Sequence, residues 1–221
     1  MAPYLFGIFV LLICIGAIYS WTQEEKRRTA LKLWCKRQGW SLLGHSVRGW
    51  EVDYPGIKLF KHGYGQEGDN IITGHFRGRP VTLLDYEYTT KSGKSRTTHR
   101  YGVTILGCDF PTVPLQIRRE YLFDRVGEFL GAGDIDFESA EFSRMFHVKS
   151  SDRKCAYDII HSQTMEFLME APEFSIEFGF GEIVISQPGR CSPKQYEEQV
   201  AVAMKLYELI PEYVIKQMKG E

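Results

Sequence analysis

The sequence predicts an α+β fold: a predominantly antiparallel sheet of about six to eight strands, with helices segregated to one side or end and a long C-terminal helix over its apolar face. A single transmembrane helix precedes that domain. Three observations predict this. Residues 3–21, PYLFGIFVLLICIGAIYSW, contain no charged side chain. The middle of the chain runs in short β-branched and aromatic stretches separated by turn residues. Towards the C-terminus, Tyr196, Val200, Ala203, Tyr207, Ile210 and Val214 recur at steps of three and four behind a helix-start signal.

At about 1.5 Å per helical residue, residues 3–21 reach roughly 28 Å, close to the hydrocarbon thickness of a bilayer. Their Leu, Ile, Phe and Val side chains favour insertion by roughly 3 to 6 kcal/mol in sum. Trp21 and Tyr19 at one end, and Tyr4 at the other, suit the two interfaces. Lys26, Arg27, Arg28, Lys32, Lys36 and Arg37 follow the span, whereas residues 1–3 carry only the terminal amine. The positive-inside rule then places the N-terminus outside and the C-terminal domain in the cytoplasm, at the plasma membrane of a single-pass protein. A cleaved signal peptide is the alternative. It requires a basic start and a small-x-small cleavage site, and neither is present. The odd set of Cys14, Cys35, Cys108, Cys155 and Cys191 reads as free thiols in a reducing compartment.

The chain divides into an anchor at 1–22, a juxtamembrane helical stalk at 23–39 and a cytosolic domain at 40–221. With 221 residues, 43% hydrophobic and a formal net charge of -1, the part outside the span can bury one ordinary core. The near-neutral balance argues against a nucleic-acid partner. In the stalk, Leu31, Trp34, Cys35 and Gln38 share a face, and its basic residues read as orientation signals on a solvated face. Gly39 ends it.

Residues 40–43 and 57–60 read as short strands within a glycine-marked region. Residues 71–76 and 81–89 form a hairpin through Arg77, Gly78 and Arg79. In the second strand Val81, Leu83, Asp85 and Glu87 lie on one face, opposite Thr82, Leu84, Tyr86 and Tyr88. The polar stretch TKSGKSRTTH, residues 90–99, reads as a loop before a strand at 100–106, and 115–119 adds another. A helix is expected over 121–130, and alternation predicts a strand over 142–149. Ser151 and Asp152 offer an N-cap for a helix through Ile160, and Ser162 caps the next. Residues 174–178 and 182–186 form a hairpin around Gly179 and Gly181. Ser192, Pro193 and Gln195 supply an N-cap, an N1 proline and a capping-box partner, and Pro211 divides the helix they open.

The run FESAEFSRMFHVKSSDRKCAYDIIHSQTMEFLMEAPEFSIEFGFGEIVIS, residues 137–186, resembles bacterial membrane-anchored proteins grouped as domain of unknown function 3137. That resemblance implies a strand leading into helices and an aromatic hairpin. It supplies no catalytic residues.

Gly93-Lys94-Ser95 ends like a phosphate-binding loop, but Tyr88 stands where the first glycine is required and no helix pattern follows. The basic residues Arg77, Arg79, Lys91, Lys94, Arg96 and Arg100, near Tyr86, Tyr88 and Tyr101, suggest a surface for anionic lipid headgroups. The plainer account is a solvated loop over core tyrosines. Asp85 and Glu87 read as solvent-facing carboxylates paired with nearby bases. The histidines are scattered, no metal-ligand spacing appears, and no nucleophile motif is present, so no cofactor or catalytic residue is assigned. The function that follows is a non-enzymatic, membrane-tethered cytosolic binding or scaffold module, anchored in the lipid bilayer through residues 3–21, with an unknown protein partner. Two alternatives remain: a membrane-attached enzyme whose site assembles from distant residues, and an anionic-lipid-sensing module resembling pleckstrin-like domains.

Overall fold

The computed structural model describes residues 2–44, 46–119 and 135–221. Its first element, α1, is a continuous helix over Ala2–Gln38 that stops at Gly39, whose φ of +70° lies in the left-handed region that favours glycine. The sequence divides α1 into zones with different surroundings. Phe6, Leu12, Ile18 and Trp21 are exposed, and an 18-residue window here has mean hydropathy 1.8, so the helix is long and apolar enough to cross a membrane. Leu31, Trp34 and Cys35 are instead buried among Ile72, Leu83, Tyr196 and Val200. The last turns of α1 therefore belong to the domain core, while Gln38 stays exposed.

Eight strands form one sheet in the order β1-β2-β3-β4-β8-β7-β5-β6, every neighbouring pair antiparallel. They are β1 (Ser41–Leu43), β2 (Tyr64–Phe76), β3 (Arg79–Ser92), β4 (Ser95–Gly107), β5 (Leu115–Arg119), β6 (Phe146–Ser150), β7 (Ser175–Gly179) and β8 (Glu182–Pro188). The β2–β3 turn places Arg77 and Gly78 at φ 48° and 81°, and the β7–β8 turn places Phe180 and Gly181 at 51° and 107°. Two positive-φ residues in a two-residue turn match the twist of the flanking strands.

The structure corrects three expectations. Residues 90–99 are not a loop: β3 and β4 stay paired up to Ser92 and Ser95, leaving a two-residue turn at Gly93 and Lys94. Threonine is a good strand residue, and the Thr89–Thr98 and Thr90–Thr97 pairs carry the ladder through this polar stretch. Residues 57–60 give no strand; Leu59–Lys61 is a 3-10 turn. Residues 142–149 begin as helix α2 (Ala140–Met145), because Ser139 accepts from the Phe142 N–H as an N-cap, and β6 starts only at Phe146. The helix expected over 121–130 lies outside the described residues.

Helices α3 (Arg153–Ile159), α4 (Ser162–Glu170), α5 (Pro193–Leu209) and α6 (Glu212–Lys219) complete the fold. Asp152 caps α3, whereas Ser162 is the first residue of α4 and His161 precedes it. The Ser192–Gln195 capping box opens α5 and Pro211 separates it from α6. Helix α5 lies across β4 and β8. The sheet is buried on both faces. Phe146, Val148, Ile176, Ile183 and Ile185 meet the helices, while Leu84, Tyr86, Tyr88, Val103 and Val184 pack beneath Ile57, Leu59 and Phe60.

At the seat of α5, Gln199 is fully buried, accepting from the Thr104 hydroxyl at 2.7 Å and donating to the Gly102 carbonyl at 3.2 Å. A Cβ at Gly102 would overlap Cys191 Sγ. Gly102→Ala is expected to cost about 1 to 3 kcal/mol through overpacking. Cys191→Ala in the same chain should recover part of that loss, since the clash is with this sulfur, and denaturant unfolding of both variants in detergent micelles measures it.

Candidate functional site

The apolar half of α1 meets the domain at a cluster of charges. On α1, Arg27 lies four residues before Leu31, which puts its guanidinium on the buried face of the helix. On β3, Asp85 follows Leu83 on the face that α1 covers. Both Arg27 terminal nitrogens bond the Asp85 carboxylate, and Nη1 also donates to the Cys191 carbonyl at 2.9 Å. Asp85 is only 5% exposed and further accepts from Asn70 Nδ2 at 2.8 Å and from the Tyr196 hydroxyl at 3.1 Å. Asp85 is therefore a buried partner of Arg27 and not the solvent-facing carboxylate expected, and Arg27 does not belong to a solvated helix face.

Around this pair the network widens. Glu24 lies 2.8 Å from Arg27 Nη2 and 2.9 Å from Arg190 Nη1, and Arg28 reaches Asp69 at 2.9 Å. Burial alone would raise the Glu24 carboxyl, but hydrogen bonds and charge from Arg27 and Arg190 outweigh it and hold it at about 2. Burial and the neighbouring Asp85 carboxylate push the Tyr196 hydroxyl well above its ordinary value, so it stays protonated and donates to Asp85. Beside the cluster opens a cleft of about 320 Å³, lined by Arg28, Glu67, Asp69, Glu87, Arg100 and Arg190 among others. Its walls carry both signs of charge and can hold a polar group.

The six basic residues singled out from sequence do not form one surface. Arg77 pairs with Glu208 at 2.9 Å, and Arg79 pairs with Asp109 at 2.9 Å while its guanidinium lies 4.3 Å from the Tyr207 ring centre. Both sit at the start of β3. Lys91, Lys94 and Arg96 are exposed at its far end, about 40 Å away along the strand. Arg100 stands between, 3.1 Å from Glu87 at the rim of the cleft. The tyrosines are interior: Tyr86, Tyr88 and Tyr101 are buried on the face opposite α1, with Tyr88 and Tyr101 stacked at 5.9 Å.

The direction of the hairpin follows from its contacts with α1. Arg27 meets Asp85, whereas Trp40, just past the end of α1, donates to the His75 carbonyl, opposite Pro80. Advancing along α1 therefore means retreating along β3. The tip at Gly93 and Lys94 points the same way as the apolar half of α1.

The nucleophiles and acids elsewhere do not converge. Burial pushes the thiols of Cys35 and Cys155 up to about 11 and those of Cys108 and Cys191 up to about 12, so all four are protonated at neutral pH. Burial also pushes Glu182 up to about 7, but its neighbours Tyr54 and Cys108 are both raised and supply no base. His99 stacks on Tyr88 at 4.8 Å, and His161 bonds the Leu209 carbonyl at 2.9 Å. No cluster of His, Cys, Asp and Glu suited to a metal ion occurs among the described residues.

The architecture is shared with a solved structure, the crystal structure of the mycobacterial trehalose monomycolate transport factor A, TtfA. The TM-score is 0.61 at 16% sequence identity, over 83% of this chain and 95% of that one. At this identity the likeness is one of fold. No family model matches the chain, and no curated protein matches it, so the resemblance seen in residues 137–186 gains no support from these comparisons.

Removing Asp85 leaves Arg27 with Glu24 as its remaining carboxylate and leaves Asn70 and the Tyr196 hydroxyl without their acceptor, so Asp85→Ala should destabilise the docked helix by about 3 kcal/mol, measured by denaturant unfolding in micelles. Glu24 gives a pH dependence of known sign. Its folded value of about 2 lies below its ordinary 4.5, so its contribution is present above about 4.5 and is lost as pH falls through 2. Trp34 fluorescence should report a loosening of α1 over that acid range, and Glu24→Gln should flatten it.

Proposed function

We propose that this protein is a non-enzymatic, membrane-tethered binding module whose domain works in the cytoplasm against the inner bilayer surface, steadied by its β3–β4 hairpin. The observation that carries this reading is the shared direction of the hairpin tip and the apolar half of α1. From Arg27 back to Trp21 the helix rises about 9 Å, whereas β3 extends about 23 Å from Asp85 to Ser92. The tip therefore reaches the level of the bilayer surface for any inclination of the strand up to about 65°. It brings Lys91, Lys94 and Arg96 there, exposed. The basic residues at 26–37 support a cytoplasmic domain.

The fold likeness adds a setting. TtfA is named as a trehalose monomycolate transport factor. A domain of that architecture, held against a bilayer, suits an accessory role in moving or positioning a membrane lipid together with a membrane protein partner.

Each basic residue near an anionic surface contributes about 1 kcal/mol at moderate salt. Replacing Lys91, Lys94 and Arg96 together by alanine should thus weaken hairpin–membrane contact by about 3 kcal/mol. The full chain in anionic nanodiscs with spin-labelled headgroups measures this through broadening of the Gly93 amide resonance. Broadening in anionic discs that is lost in the triple variant is the expected result. An unbroadened Gly93 in the parent chain, or equal broadening in the variant, contradicts the proposed contact. A topology reporter fused after Glu221 that proves extracytoplasmic overturns the orientation.

A further inference from the structure

The cleft beside the α1 junction has a charge pattern that selects its occupant. Across β2 and β3, Glu67 stands directly opposite Glu87 and Asp69 opposite Asp85, and all four carboxylates line the cleft. Like charges set across a strand pair repel. Each carboxylate is met instead by an arginine from outside that pair of strands: Asp85 by Arg27 and Asp69 by Arg28 of α1, Glu67 by Arg48, and Glu87 by Arg100 of β4. Arg190 enters from the segment between β8 and α5 and meets Glu24. These pairs hold as many carboxylates as guanidinium groups. An ion of either sign would unbalance the cleft, whereas a group with one charge of each sign would not.

The bonding between Arg100 and Glu87 leaves room for such a group. They join through Nε and Oε2 at 3.1 Å, and among the described residues neither the two Nη nitrogens of Arg100 nor Oε1 of Glu87 has a hydrogen-bond partner. Unfilled donors thus stand beside an unfilled acceptor. A guanidinium fork matches the oxygens of a phosphate, and a carboxylate oxygen accepts from an ammonium. Arg190, half-buried, adds a second guanidinium to the lining. The position fits a membrane source. Glu87 and Arg100 lie about 7 Å along the strands from Asp85, towards the hairpin tip and on the face that α1 covers. Trp21 lies about 9 Å along α1 from Arg27. The cleft is therefore level with the stretch of α1 that leads into its apolar half.

We propose that this cleft binds a zwitterionic group, an ammonium linked to a phosphate diester, with Arg100 and Arg190 on the phosphate oxygens and Glu87 on the ammonium. An ethanolamine phospholipid headgroup and its free glycerol diester share that chemistry. The lipid source rests on the membrane placement proposed above; the preference for a zwitterion does not.

The test is a titration of the full chain in non-ionic micelles, following the backbone amide resonances of Gly44 and Asp69, which line the cleft. Glycerophosphoethanolamine probes the free zwitterion and short-chain phosphatidylethanolamine the lipid, while dimethyl phosphate and ethanolamine each supply one charge alone. Saturable movement by either zwitterion, at least tenfold tighter than by dimethyl phosphate or ethanolamine, supports the site, and which zwitterion acts identifies the source. Arg100→Gln and Glu87→Gln each remove one charge from an exposed pair, which contributes little to folding. Each should weaken zwitterion binding at least tenfold. On the single charges the two should diverge, Glu87→Gln gaining affinity for dimethyl phosphate and Arg100→Gln for ethanolamine, while the thermal midpoint confirms folding. No movement with either zwitterion, a single charge that binds as tightly as the zwitterion, or unchanged zwitterion affinity in either folded variant overturns the proposal.

Discussion

The buried contact between Arg27 and Asp85 is the constraint on which the rest of the arrangement depends. Taking both charges out of water costs several kcal/mol, and attraction recovers that only where the remaining hydrogen-bonding positions are filled. Here they are filled by Asn70, Tyr196, Glu24 and the Cys191 carbonyl. These partners come from α1, β2, the segment before α5 and α5 itself, so the pair can be satisfied only when all four are in register. An apolar pair would tolerate a helix that slid by one turn. This one specifies a single docking of the polar end of α1 on the sheet.

That docking also explains how charge is distributed over the surface. Of the bases that follow the apolar stretch, Arg27 and Arg28 face the domain and are neutralised there, and Arg77, Arg79 and Arg100 each hold a carboxylate. Lys91, Lys94 and Arg96 are left exposed at the end of a long hairpin. A net charge of -1 therefore conceals a basic tip on an otherwise balanced molecule. Whole-chain composition averages away the feature that matters most at an anionic surface.

Local rules carried much of the fold. Period-two alternation marked β3, the hairpin glycines Gly179 and Gly181 marked β7 and β8, and the Ser192–Gln195 box and Pro211 marked where α5 begins and α6 follows, because those signals lie within a few residues of one another. The misreadings have a common cause. The polar sequence of residues 90–99 hid a strand pair whose pairing is settled across the ladder, and the alternation of residues 142–145 gave way to a cap at Ser139. Arg27 carried a usable signal in its spacing from Leu31, but its meaning required Asp85, 58 positions away.

The continuity of α1 has a mechanical consequence. Between Ala17 and Gln38 the helix contains neither glycine nor proline, and its far end is embedded in the core. With the apolar half of α1 set in a bilayer as proposed, helix and sheet would move as one lever with its fulcrum there. Spans tilt to match the thickness of the membrane around them, and a change of about 20° would swing a hairpin tip about 23 Å from the junction through about 8 Å. In that arrangement membrane thickness would be converted into the height of a basic fingertip above the headgroups.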